Sequence, residues 1–279
     1  MKRFTLLVSA VVVFVCLLVL PLRAQDQKFF DAVRRGDVQK VQQLLKKGID
    51  VNQREYTRTA LMWAAAGGYS EVVEELLKAP SIDINAQDIG GRTALMLAAW
   101  YDNLEVVEEL LKAPSIDVNA RDSRGRTALI LVAEFDDRPL ENDRRLEVVR
   151  ELLKSSSIDV NQRESTWIAL TVAAEKERRL EVVKELLKAP SIDVNARDSR
   201  DRTALMLAAS YNFSEIVKEL LQHPDIDVDA QDKSGRTAQM MASDTRIVKM
   251  LRETSRKSKI AAFKKRISEK FSSNETPNW

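Results

Sequence analysis

Thr93-Ala94-Leu95-Met96-Leu97-Ala98-Ala99 organises the whole sequence, because the chain writes it again and again. It recurs as Thr59-Ala60-Leu61-Met62-Trp63-Ala64-Ala65, as Thr127-Ala128-Leu129-Ile130-Leu131-Val132-Ala133, and as Thr203 to Ala209. At Ile168 to Ala174 the threonine is lost, and Thr237-Ala238-Gln239-Met240-Met241-Ala242 is a weaker copy. Successive first alanines stand 34, 34, 41, 35 and 34 residues apart. A period of this size marks a solenoid, in which each unit buries its apolar face only against its neighbours.

Outward from this stretch, each unit carries a turn and then a second apolar pattern. In one unit Gly67-Gly68 precedes Glu71-Val72-Val73-Glu74-Glu75-Leu76-Leu77-Lys78, and Ile82-Asp83-Ile84-Asn85 closes it. Val72, Val73, Leu76 and Leu77 define one helical face, with Glu71, Glu74, Glu75 and Lys78 turned outward. Leu61, Ala64 and Ala65 predict a narrow first helix that stacks closely. Pro80, Pro114 and Pro190 end the second helices of their units. The position between the helices is Gly68, then Asp102, then Asn212, all residues that tolerate positive φ.

These residues resemble the ankyrin repeat, whose pattern runs Asp-x-x-Gly-x-Thr-Pro-Leu-His-x-Ala, a Gly turn, a Leu-Glu-x-Val helix and Ala-Asp-Val-Asn. One unit carries Asp88-x-x-Gly91-Arg92-Thr93, Leu104-Glu105-Val106-Val107 and Asp117-Val118-Asn119-Ala120, and the match extends from about Gln27 to Arg252. Ala94 stands where Pro is usual and Met96 where His is usual, so apolar packing is expected in place of some inter-repeat polar bonding. The resemblance implies an all-α solenoid of helix–turn–helix units joined by β-turn or hairpin loops, about seven repeats including caps. It also implies protein–protein contact through hairpin tips and the exposed ends of first helices.

Residues 1–24 read as an export signal: Lys2 and Arg3, an apolar run from Leu6 to Leu20, then Leu22-Arg23-Ala24 as a cleavage site. The run is also long enough to serve as an uncleaved N-terminal anchor, which would bring membrane contact. A lipoprotein is disfavoured because Val15 precedes Cys16. The repeat domain is expected over 25–254, opening with a first unit around Phe30-x-Ala32-Val33-x-x-Gly36-Asp37. Between Ala133 and Glu147 lies an insertion, read either as a tolerated surface loop or as a partner-selecting one. The next repeat adds Trp167 and a longer turn at Glu175 to Arg179. Over 255–279 the chain is expected to form a basic amphipathic helix, then a disordered tail from Ser272. Ile260, Phe263, Ile267 and Phe271 share one face with Lys264, Lys265 and Arg266 nearby, which suits a capping helix or a membrane- or partner-binding one.

Charge and composition exclude several classes. The formal net charge is +2, but residues 25–251 hold 33 basic and 39 acidic residues, and no global charge points to nucleic acid. Cys16 is the only cysteine and His223 the only histidine, which leaves no His/Cys metal cluster and no cysteine nucleophile in the repeats. His223, at the end of a second helix, reads as structural. No Gly-rich phosphate loop appears. The sequence therefore predicts no enzyme, no cofactor and no metal, but a monomeric module that binds a protein partner.

Two sets of residues are candidates for that contact. Arg58, Arg92, Arg126, Arg202 and Arg236 precede the repeated threonine, and Arg124 and Arg200 lie at tips beside Ile89, Gly90, Ser123, Ser199, Lys233 and Ser234. The arginines either line a partner-facing ladder or pair with Asp88, Asp122, Asp198 and Asp232. The second set is where the copies stop agreeing: Ala66-Gly67, Trp100-Tyr101, Glu134-Phe135, Glu175-Lys176 and Ser210-Tyr211. Aromatic side chains at variable positions suit a binding hot spot, with Trp100, Tyr101, Phe135 and Tyr211 as its residues, or else the rings pack against neighbouring repeats. The function expected is a scaffold or modulator of another exported protein, in the bacterial periplasm or anchored to the inner membrane. The alternatives are a secreted effector that binds host proteins and a membrane-surface adaptor acting through the basic C-terminal helix.

Overall fold

The computed structural model describes residues 25–134, 144–162 and 168–272. The export segment, the insertion with Phe135, Trp167 and the chain end from residue 273 lie outside the described residues. Two compact units divide the chain, one ending at Ala128 and one beginning at Leu129.

The first unit opens with α1 (residues 25–34) and α2 (Val38–Leu45), separated by Gly36 at φ +68°. Phe29 and Phe30 are buried there, edge to face at 5.7 Å. A two-stranded antiparallel hairpin follows, β1 (Arg54–Glu55) and β2 (Arg58–Thr59), then α3 (Ala60–Gly67) and α4 (Ser70–Leu77), α5 (Ala94–Trp100) and α6 (Leu104–Leu111). The repeated threonine begins each first helix for a local reason: its hydroxyl accepts the otherwise orphaned third-residue N–H, Met62 for Thr59 at 3.4 Å and Met96 for Thr93 at 3.3 Å. The helix that follows has no polar stripe. Leu95, Met96, Leu97, Ala98 and Ala99 are all buried, because the helix is packed on several sides and not on one. Met96 thus takes up the apolar packing expected of it. The second helices bury Val72, Val73, Leu76, Val106, Val107 and Leu110 and leave acids outside, paired locally as in Lys78–Glu74 at 3.0 Å and Lys112–Glu109 at 2.6 Å.

The second unit repeats the scheme in α7 (Ala128–Glu134), α8 (Arg144–Lys154), α9 (Ala169–Ala173), α10 (Leu180–Leu187), α11 (Ala204–Ser210), α12 (Ser214–Leu221) and α13 (Ala238–Met241). Where Ile168 replaces the threonine no side-chain cap forms, and α9 has five residues where α11 has seven. The lengthened turn after it holds a 3₁₀ segment at Glu177–Arg179, and Arg179 is buried with its guanidinium donating to the Val172 carbonyl at 2.6 Å and to that of Glu134. The turns expected at positive φ have it: Gly68 at +73°, Asp102 at +56° and Asn212 at +58°.

Polar bonding between repeats persists through a device that local reading does not reveal. The corner asparagine of one repeat clamps the corner of the next. Asn85 donates to the Ser115 carbonyl at 2.7 Å and accepts the Asp117 N–H at 2.9 Å. Asn52, Asn161 and Asn195 do the same, with donor distances of 2.6, 2.6 and 2.7 Å. The last such corner carries Asp229 instead, and it accepts from Ser255 of the terminal helix α14 (Thr245–Ser272) at 2.9 Å. That helix is continuous over 28 residues. Ile247 and Leu251 are buried, whereas Ile260, Phe263 and Ile267 are exposed, so only its first turns cap the unit.

The first hairpin is strained. Tyr56 and Thr57 occupy its two-residue turn at φ +49° and +82°, the geometry that favours Asn-Gly, and Thr is branched at Cβ. Elsewhere the tip uses Gly91, at +73°, where an added Cβ would stand 2.6 Å from the Ser123 nitrogen. Thr57→Gly is expected to raise stability by about 1 kcal/mol, a melting shift of roughly 2–3 °C. An unchanged melting temperature would show that the turn carries no strain.

Candidate functional site

The hairpin tips are built on buried aspartates. Asp88 Oδ1 accepts the N–H groups of Gly90 at 2.8 Å and Arg92 at 2.9 Å, while Oδ2 takes the Arg92 guanidinium at 3.0 and 2.7 Å. Asp122–Arg126, Asp198–Arg202 and Asp232–Arg236 repeat this pair at 2.8, 2.7 and 2.8 Å. Burial works to raise the Asp88 carboxyl, but the side-chain and backbone hydrogen bonds of Arg92 outweigh it and hold the group below its ordinary value. In Asp232 the backbone hydrogen bond from Arg236 leads, with the same direction. Neighbouring tips are joined by backbone bonds, Ser123 N–H to the Gly90 carbonyl at 2.8 Å and Lys233 N–H to that of Arg200 at 3.2 Å.

Four candidate arginines are therefore engaged by the scaffold. Arg92, Arg126, Arg202 and Arg236 complete their own turns, which accounts for their sharing the period of the fold. Arg124 and Arg200 differ. Only their backbone N–H groups bond to Asp122 and Asp198, at 2.9 and 2.8 Å, and both residues are exposed. The second repeat breaks the pattern because Arg54 stands where the aspartate belongs. Arg54 donates to the carbonyls of Thr57 and Gln87, and Arg58 reaches forward to Asp88 at 3.7 Å. Released from a turn aspartate of its own, Arg58 lies over the Trp63 ring at 4.9 Å, with Arg34 at 5.8 Å from the same ring.

The helix-end aromatics divide by exposure. Trp100 is half-buried, Tyr101 is 37% exposed, and Tyr211 is 52% exposed and stacked on Phe213 at 5.6 Å. Phe135 lies outside the described residues. Glu175, at the equivalent position, is held above the ordinary carboxylate range by burial, against the pull of Arg202 and Arg179.

Three residues emerge that were absent from the candidate set. Tyr56 at the first hairpin is 83% exposed, Met240 is 70% exposed, and Trp63 is half-buried with its indole N–H buried and without a hydrogen-bond partner. Tyr56 was accessible to a periodic reading, since it falls at a tip as Ile89 does, and Ile89 is 86% exposed. Trp63 gave no such signal, standing at a position that is Leu97 and Leu207 in other copies.

What this arrangement offers is a contact surface. Among the described residues no group of three or more His, Cys, Asp or Glu is placed to hold a metal ion. His223 accepts the Asp225 N–H through Nδ1 at 3.3 Å, a local turn contact.

Comparison with known proteins agrees with this geometry. A sequence profile described as ankyrin repeats (3 copies) matches residues 29–122, 116–198 and 191–261. The ankyrin-repeat domain of Bcl-3, described as a unique member of the IkappaB protein family, is 26% identical with a TM-score of 0.71, over 81% of this chain and 97% of that one. The human ASB11 ankyrin-repeat domain is 19% identical with a TM-score of 0.62, over 81% of this chain and 96% of that one. An ankyrin-repeat protein, EF0377, is 24% identical with a TM-score of 0.62, over 70% of this chain and 97% of that one. No curated protein sequence matches the chain. The matched repeats, their all-α helix–turn–helix build and their linked tips lead to one conclusion: the chain belongs to the ankyrin-repeat family, whose repeats are protein–protein interaction modules.

Proposed function

We propose that the chain is a non-catalytic scaffold that captures another exported protein in the bacterial periplasm, through the tips and helix ends of its repeats. The observation that carries this reading is the pair of apolar side chains on adjacent tips of the first unit, Tyr56 at 83% and Ile89 at 86% exposure. They are the most exposed large hydrophobic residues described; the Ile89 turn is fixed by buried Asp88, and the Tyr56 turn by its hairpin pairing and the bonds of Arg54 to the Thr57 and Gln87 carbonyls, so little ordering remains to oppose binding. Tyr101 and the cationic Trp63 corner belong to the same unit and extend the surface with the residue types that concentrate binding energy.

Export rests on residues 1–24, with their basic start, apolar run and small residue at Ala24. Fractionation of expressing cells tests it together with capture. Retention in the periplasmic fraction, with a stoichiometric partner identified by mass from envelope extract, is the expected result. Appearance in the culture medium would point to a secreted effector, and a cytoplasmic chain would overturn the export reading.

A further inference from the structure

The terminal helix carries a surface that the repeats do not use. Its first turns are fixed by buried Ile247 and Leu251 and by the bonds of Ser255 and Lys259 to Asp229, at 2.9 and 3.1 Å. Beyond that anchor it projects Ile260, Phe263 and Ile267, exposed by 57, 64 and 40%. At 100° per residue these three fall within about 60° of one another on the helical circumference. Lys257 and Lys264 flank the stripe on one side, Lys259 and Arg266 on the other, and Arg256 stands in line with it one turn before Ile260. Residues 256–268 hold six basic side chains and no acidic one.

This arrangement selects among occupants. A second copy of the same helix would bring like charges together along both edges of the seam. The outer helices of the repeats are acidic, but several of their glutamates are tied to lysines one turn away, as in Lys154–Glu151 at 2.5 Å and Lys218–Glu215 at 2.7 Å. Their apolar side is turned into the core, so they present nothing to receive a phenylalanine and two isoleucines. A bilayer surface with anionic headgroups satisfies both requirements: the apolar stripe enters the acyl boundary, and the flanking lysines extend their stems up to the phosphates. Such a surface would also supply packing to a segment that extends past its last tertiary contact, where a short helix is marginal in water. Among the described residues no helix is long and apolar enough to cross a membrane, so the segment would lie on the surface.

We infer that residues 256–272 form an interfacial helix that binds the chain to an anionic lipid surface, with Ile260, Phe263 and Ile267 immersed.

The test places an environment-sensitive fluorophore at Phe263→Cys in a full-length Cys16→Ser chain, where it is the only thiol. The probe reports immersion at that position alone, whatever residues 1–24 do. With vesicles of phosphatidylcholine containing about 30% phosphatidylglycerol, its emission is expected to shift blue at lipid concentrations at least roughly ten-fold below those needed with pure phosphatidylcholine. High salt and the triple change Lys257→Glu, Lys264→Glu, Lys265→Glu should each abolish that preference while helicity and melting of the repeats stay unchanged. Ile260→Ser with Ile267→Ser should leave the probe in water. Aqueous emission on anionic vesicles, or equal shifts on both lipids, would overturn the proposal. A lipid-free shift that grows with protein concentration would overturn it too, by assigning the stripe to a second copy.

Discussion

Asp88→Ala is expected to lower stability by about 3 kcal/mol, the range found when one partner of a buried, hydrogen-bonded ion pair is removed. Its side chain is 1% exposed and satisfies two backbone N–H groups as well as the Arg92 guanidinium, so truncation orphans a turn as well as a charge. Arg92 is 38% exposed and can turn to solvent, which keeps the loss from being larger. Asp88→Asn retains an oxygen for the two N–H groups and should cost about half as much. Arg124→Ala, at a tip but outside the clamp, should change melting by less than about 0.5 kcal/mol. Equal losses for Asp88→Ala and Arg124→Ala would refute the division of the arginines.

The same pair sets a pH dependence. The folded Asp88 carboxyl lies below its ordinary value, so on acidification the unfolded chain takes up this proton first. The stability it provides is complete above the ordinary carboxylate value near ~4 and is lost as pH falls through the lower, folded one. Glu185 acts in the same sense: burial opposes but Arg150 and Lys188 prevail. Glu175 acts oppositely, since burial raises its folded value and acidification relieves that cost. Thermal melting should therefore fall as pH drops below ~4, less steeply in Asp88→Asn, whereas Glu175→Gln should alter the profile only above that value, by removing the gain in stability that acidification toward it brings.

The second large effect concerns capture. Tyr56→Ser combined with Ile89→Ser is expected to weaken the partner by at least about thirty-fold, or ~2 kcal/mol, while leaving melting nearly unchanged because both side chains project into solvent. Trp100→Ala is a poorer probe. Trp100 is half-buried, so its loss would mix packing with binding. Tyr101→Ala, at 37% exposure, should contribute a smaller share of the affinity at little cost in stability.

The fold was legible because a solenoid writes its contacts into its period. Thr93 and its copies mark helix starts, and Asp102 and Asn212 mark turns at positive φ, each through chemistry confined to a few residues. What crossed between repeats was not legible. The recurring Asp-Val-Asn corner suggests a turn, yet the partner of Asn85 lies about one period away, at Ser115 and Asp117. Arg179 lies in a lengthened turn without a counterpart in the other repeats, so nothing in the period pointed to its buried carbonyl contacts.

The candidate site was legible in outline only. Sequence placed seven arginines together, and four proved to be built into their own turns, a distinction set by whether the guanidinium faces the turn's Asp Oδ2, as in Arg92, or lies elsewhere, as Arg58 does over Trp63. Tyr56 escaped notice because Arg54 replaces the aspartate that identifies a tip. Ile260, Phe263 and Ile267 were recognised as a helical stripe, but spacing alone could not say that nothing in the repeats covers them.

Site-specific photocrosslinking can decide whether the tips and helix ends receive the partner. A crosslinking amino acid at Tyr56, Ile89 or Tyr101 should capture one and the same partner from envelope extract, while the probe at Glu74 or Glu108 on the outer helices captures none. Capture from Glu74 and Glu108, with silence at the tips, would place the partner on the opposite face and contradict the account.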